Sequence, residues 1–123
     1  MTRILLVEDH PTISESLRLL LQHEGHDVAL CKDADSALVA LQDSTHSDVA
    51  LVDYWLGAGT AEPVLKALRH GCPNVRVVLI TGGSRDVGVE TTRWLGALDG
   101  IDGFLQKPFT RSDIRTLFQR LGL

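Results

Sequence analysis

The sequence predicts an α/β fold in which helices cover both faces of a doubly wound, five-stranded parallel sheet. First, short apolar runs without polar alternation recur along the chain, as in strands that are buried on both faces. Second, each run is followed by a segment with apolar residues at helical spacing, so that the order strand, helix repeats five times. Connections of this kind between parallel strands are right-handed crossovers. The length of 123 residues suits one domain with a sizeable core.

The first two units have clear start and stop signals. Arg3 to Val7 is predicted as a buried strand, Pro11 suits the first turn of the helix that follows, and Gly25 ends that helix. Asp27 to Cys31 is predicted as a shorter second strand, with Asp33 as the N-cap of the second helix.

The third strand is the centre of the prediction. Val49 to Asp53 is a run of four apolar residues that stops at a carboxylate. Because ligands bind outside the carboxyl ends of strands in open parallel sheets, Asp53 is a candidate functional residue, although an Asp here could also merely cap a turn. Leu56 to Thr60 is predicted as a flexible loop, and Thr60 as the cap of a helix with Pro63 in its first turn.

The last two units complete the sheet. Val75 to Ile80 is β-branched and apolar, which predicts a strand. Asp86 to Leu98 is predicted as a helix, although its glycines and threonines disfavour one. Ile101 to Leu105 is predicted as the last strand, and the final helix starts at Thr110 with a pattern that resembles a capping box.

Composition and charge exclude several kinds of protein. No apolar run is long enough for a membrane span or a signal peptide, so we expect a cytoplasmic protein without membrane contact. Cys31 and Cys72 have no partner motif, which argues against a disulfide framework and paired metal cysteines. The net charge of −4 argues against direct nucleic-acid binding. The histidines, His10 among them, show no ligand spacing and are assigned no chemistry.

Polar residues collect where the predicted strands end. The side chains within two residues of an apolar run are Glu8 and Asp9, Asp53, Thr81 and Lys107. Parallel strands finish at the same edge of a sheet, so these groups are expected to share one cleft. Carboxylates so close together repel one another, and either their pKa values rise or a cation neutralises them. Oxygen ligands without histidine or thiolate favour Mg²⁺.

This set of residues fits phosphoryl transfer, which needs positioning and charge neutralisation around the moving group. Asp53 would be the nucleophile, because an ionised carboxylate needs no general base. Lys107 could hold one phosphoryl oxygen, and the Thr81 hydroxyl could donate to another. Each residue also has an ordinary structural explanation: a helix cap, an exposed lysine, a turn. Their coincidence at one edge favours a functional site.

The sequence resembles the receiver domain of a two-component response regulator, a CheY-like superfamily, over essentially its whole length. The matching segments are Leu6-Val7-Glu8-Asp9, Leu51-Val52-Asp53, Ile80-Thr81-Gly82 and Asp102-Gly103-Phe104-Leu105-Gln106-Lys107-Pro108-Phe109. The resemblance implies a flavodoxin-like strand order of 2-1-3-4-5 and a cis bond between Lys107 and Pro108. It also implies that residues 1–123 are a receiver domain without an output domain in this chain.

The resemblance implies where phosphate and metal bind. Asp53 would accept a phosphoryl group from the phosphohistidine of a sensor histidine kinase or phosphotransfer protein. Glu8, Asp9, Asp53 and the backbone carbonyl of Trp55 would hold Mg²⁺. On this interpretation the chain is not an enzyme, since it catalyses only its own phosphorylation and dephosphorylation.

The resemblance also implies a switch. Thr81, Gly82 and Lys107 would contact the phosphoryl group, and Phe104 would move together with Thr81. The surface formed by the fourth helix, fifth strand and fifth helix (α4-β5-α5) would then change and signal to a downstream protein. A homodimer that forms on phosphorylation is kept as a further hypothesis about its partners.

Departures from the family pattern leave two alternatives. Gly57 stands where receivers usually have proline, which predicts a looser loop, and Trp55 is bulky enough to shield a phosphoryl group from water. A pseudo-receiver that binds partners without phosphate is one alternative. The other is an aspartyl-phosphate hydrolase of the haloacid-dehalogenase type, although that family needs an Asp where this chain has Trp55. The Thr81–Lys107 interval is also about one helical turn longer than typical.

Overall fold

The computed structural model describes residues 2–42, 47–56, 59–82 and 100–123. The strands within these residues are β1 (Arg3–Val7), β2 (Asp27–Cys31), β3 (Val49–Asp53), β4 (Trp55–Leu56), β5 (Gly59–Thr60), β6 (Arg76–Gly82) and β7 (Gly103–Lys107). The helices are α1 (Pro11–His23), α2 (Ala34–Gln42), α3 (Glu62–Gly71) and a C-terminal helix (Arg111–Arg120). The fourth helix predicted at 86–98, and with it the lengthened interval, lies outside this range.

Five of the strands form one parallel sheet in the order β2-β1-β3-β6-β7. This is the predicted flavodoxin-like order, and the α/β fold class is confirmed. Val7 pairs with Val52, Asp53 with Ile80, and Gly82 with Lys107, so neighbouring strands end nearly level with one another. The register therefore brings the polar residues that follow the strands to a single edge.

Two apolar cores pack against the two faces of the sheet, because successive strand residues point to opposite sides. On one face, Leu5, Val7 and their neighbours pack against α2 and α3; we call this the α2–α3 core. On the other, Ile4 and Leu6 pack against side chains of α1 and the C-terminal helix, including Leu21 and Leu117. Strands β1 and β3 are buried on both faces, as their continuous apolar runs predict.

The helix ends mostly follow the sequence signals. Gly25 has a φ of 90° just after α1, Asp33 Oδ1 accepts a hydrogen bond of 2.7 Å from the backbone N–H of Ser36, and Thr110 forms the predicted capping box. The predicted cap of α3 is wrong by one residue. Ala61 occupies the N-cap position, while the Thr60 hydroxyl accepts a bond of 3.4 Å from the N–H of Glu62.

The last two strands of the sheet lie further along the chain than predicted. They span Arg76–Gly82 and Gly103–Lys107, where the apolar pattern predicts 75–80 and 101–105. The cause is Asp102, whose N–H donates to the carbonyl of Val77 and whose Oδ2 accepts from the N–H of Val77, both at 2.8 Å. Lys107 is consequently the last residue of β7 and does not follow the strand.

A short antiparallel ribbon follows Asp53 where a flexible loop is predicted over 56–60; residues 57–58, and with them the looser loop predicted at Gly57, lie outside the described range. Trp55 pairs with Thr60, and Leu56 pairs with Gly59. The N–H of Ala61 also donates to the carbonyl of Tyr54 at 2.8 Å, which fastens the base of the ribbon. The apolar residues Trp55 and Leu56 explain the difference, since both pack against the α2–α3 core and hold this segment in place.

The Lys107–Pro108 peptide bond is cis, as the resemblance implies. Within the described part of the chain, none of the helices combines the length and the apolar character that crossing a membrane requires.

Candidate functional site

Glu8 is the most deeply buried polar residue at the carboxyl edge of the sheet, with 0% of its surface exposed. Its backbone N–H continues the ladder to the carbonyl of Cys31 at 3.1 Å. The side chain accepts two hydrogen bonds: Oε2 from Nζ of Lys107 at 3.0 Å, and Oε1 from the N–H of His10 at 3.2 Å. Both oxygens of a buried carboxylate thus have a donor, which lowers the cost of its burial.

Asp53 lies beside Glu8 at the end of β3 and is also buried, with 7% of its surface exposed. Its Oδ1 accepts a hydrogen bond of 3.1 Å from the N–H of Trp55, and its Oδ2 accepts one of 3.1 Å from Nζ of Lys107. The backbone bond fixes the orientation of the carboxylate, because Trp55 is held in the ribbon. Oδ2 of Asp53 therefore faces Lys107.

Lys107 bridges the two buried carboxylates with a single ammonium group. Burial on its own would lower the pKa of Lys107, but the hydrogen bond to Glu8 and the negative charge of Asp53 outweigh it, so the pKa is raised. The lysine is therefore charged throughout the physiological pH range.

Burial and negative charge together raise the pKa of Glu8 to about 7. Removal from water is the largest cause, and the neighbouring Asp53 carboxyl adds to it, while Lys107 and the N–H of His10 act in the opposite direction. This matches the expectation that carboxylates crowded at one edge must gain protons or a cation.

Three carboxylates come close enough to share a metal ion. Carboxylate oxygens of Glu8, Asp9 and Asp53 lie within 4.8 Å of one another, and Asp9 is half-buried at the surface of the cleft. Oxygen donors of this kind suit hard divalent cations such as Mg²⁺. The residues therefore fit the predicted ion, and its charge would offset the repulsion that raises the Glu8 pKa.

Thr81 and Gly82 lie on β6 next to the site. Thr81 is one residue beyond Ile80, the partner of Asp53, and is 2% exposed. Gly82 pairs with Lys107. Phe104, the predicted switch aromatic, pairs with Leu79 and packs half-buried against the α2–α3 core.

A cleft of about 960 Å³ opens above the three carboxylates and Lys107. Its polar end holds Glu8, Asp9, Asp53 and Lys107, and its walls come from the first turns of α1 and from Pro108 and Phe109. The described lining of this cleft does not include Trp55, whose ring packs against the α2–α3 core and edge-on to Tyr54, with ring centroids 5.1 Å apart. That Trp55 shields a phosphoryl group from water stays a prediction.

His10 is the residue that the sequence analysis missed. Its N–H donates to Glu8, and its Nδ1 accepts a hydrogen bond of 3.4 Å from the N–H of Ile13 as the N-cap of α1. The signal was present in the sequence, because Pro11 at the first helical position places residue 10 at the cap. The residue type gives no such signal, because histidine is not among the favoured N-cap residues.

Comparison with known proteins shows which family model and which relatives the chain matches. The family model described as the response regulator receiver domain matches residues 4–119. The transcriptional regulatory protein CpxR of Escherichia coli K12 is 34% identical over 114 residues, which are 93% of this chain and 46% of that protein. The DNA-binding response regulator MtrA of Mycolicibacterium smegmatis is 32% identical over 112 residues, covering 91% of this chain and 46% of that protein.

A solved structure gives the same fold. The response regulator receiver domain protein from Clostridium thermocellum superposes with a TM-score of 0.85 at 22% identity, over 98% of this chain and 93% of that one. The chain spans about half the length of the curated relatives that it matches. The matches favour neither the hydrolase nor the pseudo-receiver.

Proposed function

The chain belongs to the response regulator receiver domain family of two-component signalling proteins, and we propose that Asp53 is its phosphoryl acceptor. The observation that carries the proposal is the position of Lys107, whose Nζ lies 3.1 Å from the Asp53 carboxylate and 3.0 Å from that of Glu8. A buried aspartate with a fixed cation on one side and two further carboxylates nearby has the charges that phosphoryl transfer requires.

In the transfer, a carboxylate oxygen of Asp53 attacks the phosphorus of a phosphohistidine. The new bond joins phosphorus to the aspartyl oxygen, the bond from phosphorus to the imidazole nitrogen breaks, and the imidazole keeps the electron pair. A carboxylate nucleophile needs no general base. Lys107 contacts an oxygen of the transferred group and keeps the acceptor carboxylate oriented by its ion pair.

Glu8, Asp9, Asp53 and the carbonyl of Trp55 are the residues that would hold Mg²⁺. The ion, when bound, supplies positive charge that offsets the negative charge of the phosphoryl oxygens. The close grouping of the three carboxylates and the raised pKa of Glu8 support this assignment.

The switch that we propose follows from the added phosphoryl oxygens. Thr81 is buried one residue from the partner of Asp53 and would donate its hydroxyl to one of them, with Gly82 alongside. Phe104 would then turn toward the space that Thr81 leaves. The signal reaches partners through the surface formed by the fourth helix, the fifth strand of the sheet and the C-terminal helix, of which β7 and the C-terminal helix are the described parts.

Receiver domains of response regulators are signalling modules that interact with histidine kinases or phosphotransfer proteins. We infer that such a protein is the phosphoryl donor here, and that the activity of residues 1–123 is limited to their own phosphorylation and dephosphorylation. A cytoplasmic site of action and a phosphorylation-dependent homodimer belong to the same proposal. The regulation of genes that the names of CpxR and MtrA describe is a property of those longer proteins.

The intrinsic tryptophan fluorescence offers a direct test, because the backbone N–H of Trp55, one of the two tryptophans of the chain, donates a hydrogen bond to the acceptor carboxylate. The chain is titrated first with Mg²⁺ and then with beryllofluoride, a mimic of the phosphoryl group. We expect a saturable change in each step, and the beryllofluoride step should require Mg²⁺.

The matched control is Asp53→Asn, which keeps the size of the side chain and removes its charge. It should lose the beryllofluoride response entirely. An equal response in this variant, or none in the wild type, would exclude Asp53 as the acceptor. Steady release of phosphate from a simple phosphomonoester would indicate a hydrolase instead.

A further inference from the structure

The connection between β1 and α1 contains Glu8 and Asp9, two of the three clustered carboxylates. It is held by His10, an uncommon residue type at a helix N-cap. Glu8 and Asp9 precede His10, and α1 begins at Pro11. The backbone of Glu8 is fixed by its bond to Cys31, so the position of its side chain depends on what the carboxylate oxygens contact. One contact is Lys107, and the other is the N–H of His10.

Three hydrogen bonds hold His10 in place. Its N–H donates to Glu8 Oε1 at 3.2 Å, and its carbonyl accepts the first bond of α1, from the N–H of Ser14, at 2.8 Å. Its imidazole Nδ1 accepts from the N–H of Ile13 at 3.4 Å. The φ and ψ of −76° and 117° are those of an N-cap, whose extended backbone depends on its side-chain bond into the helix.

These contacts form one continuous connection from the imidazole to the carboxylate. The imidazole fixes the backbone of residue 10 relative to α1, and the N–H of that backbone fixes Glu8 Oε1. The His10 ring itself is exposed at the rim of the cleft, so its own burial contributes little to stability. Groups that orient metal ligands in this way commonly change metal affinity when they are altered.

We propose that His10 is a positioning residue for Mg²⁺ binding: its side-chain cap on α1 sets the backbone N–H that orients the Glu8 carboxylate. The inference rests on the proposed function, since it assumes that Glu8 is a ligand of the ion. Every variant at position 10 other than proline retains the N–H, so the effect comes from its placement and not from a missing donor.

The test measures the Mg²⁺ dissociation constant of the full chain by Trp fluorescence, together with its midpoint of urea unfolding. His10→Ala removes the cap and should weaken Mg²⁺ binding about fivefold, less than the 10–100-fold that follows outright loss of an outer partner. His10→Asn supplies a favoured cap and should bind within about twofold of the wild type. If the alanine variant does not fold, His10→Gly replaces it, because glycine also lacks the acceptor but is better tolerated at this position.

The matched control is Thr110→Ala, which removes the side-chain cap of the C-terminal helix. It should lower the urea midpoint about as much as His10→Ala and leave Mg²⁺ affinity unchanged. The inference is overturned if His10→Ala binds Mg²⁺ like the wild type or if Thr110→Ala weakens binding equally. It is also overturned if His10→Asn binds Mg²⁺ as weakly as His10→Ala. A wild type that binds no Mg²⁺ would instead contradict the proposed function, and the inference with it.

Discussion

Lys107 balances the charge of both buried carboxylates in the candidate site. It is the partner of both buried carboxylates, yet its positive charge also opposes a second cation in the same place. Under the proposed function, the same side chain would therefore stabilise the acceptor and weaken metal binding.

Replacing Lys107 with Met should change two affinities in opposite directions. Loss of a positive charge next to the ligands should strengthen Mg²⁺ binding by about tenfold. The measurement is made well above the wild-type Glu8 pKa of about 7, because the loss of Lys107 raises that pKa further. Loss of the contact to the phosphoryl oxygens should abolish the response to beryllofluoride. Trp fluorescence reports both steps.

Lys66→Met is the control for net charge, because Lys66 is exposed on α3. It should leave both affinities unchanged. If Lys107→Met retained the full beryllofluoride response, Lys107 would have no part in holding the phosphoryl group.

Gly103 shows how closely the C-terminal helix packs on the sheet. A Cβ at this position would lie 2.8 Å from Cδ1 of Leu117. Gly103→Ala should therefore lower the free energy of unfolding by about 1 kcal/mol, the low end for overpacking, since the end of a leucine side chain can move aside. Urea unfolding measures the change.

Gly71→Ala is the matched control for that substitution. Gly71 is the last residue of α3, and nothing lies within 4 Å of the Cβ that alanine would add. It should be neutral or slightly stabilising. Equal destabilisation by both substitutions would mean that the contact with Leu117 is not the cause.

At the scale of the elements, Glu24 joins α1 to the C-terminal helix. It is the C-cap residue of α1 and accepts hydrogen bonds from Nε of Arg115 at 2.5 Å and from Nη2 of Arg111 at 3.0 Å. The bond from Arg115, followed by that from Arg111, lowers the pKa of Glu24 to about 2, although partial burial opposes this. The two helices that cover one face of the sheet are thus linked at their ends.

This link predicts an acid-sensitive contribution to stability. Because the pKa is lower in the folded chain than its ordinary value of 4.5, the contribution is complete above 4.5 and is lost as the pH falls toward 2. Glu24→Gln should be less stable than the wild type near neutral pH, and the difference should shrink across that window. Urea unfolding at a series of pH values measures it.

Arg115→Met offers an independent check, because it removes the partner with the largest effect on Glu24. It should reproduce part of the loss seen with Glu24→Gln. A difference between wild type and Glu24→Gln that does not change between pH 4.5 and 2 would show that ionisation of Glu24 does not stabilise the fold.

Most elements could be predicted because their signals are local. The apolar runs of β1, β2 and β3 and the caps at Asp33 and Thr110 each lie within a few residues of what they determine. The shift of β7 could not be predicted from local signals, because it depends on a hydrogen bond between Asp102 and Val77, which are 25 residues apart. The contacts of Glu24 with Arg111 and Arg115 span 87 and 91 residues, and no local pattern indicates them.

At the scale of the whole molecule, the parallel sheet explains why the site could be located from sequence. Strands that run in one direction end at one edge, so residues as distant as Glu8 and Lys107 meet there, 99 positions apart. Distances and burial could not be predicted, since they depend on register and on the packing of both cores.

The central claim is that Asp53 accepts a phosphoryl group, and the mass of the intact chain tests it most directly. The chain is incubated with Mg²⁺ and phosphoramidate, a small phosphoryl donor, and compared with Asp53→Asn under the same conditions. We predict that the wild type gains the mass of one phosphoryl group and that the variant gains none. The same gain in both, or no gain in a wild type that responds to Mg²⁺ and beryllofluoride, would contradict the claim.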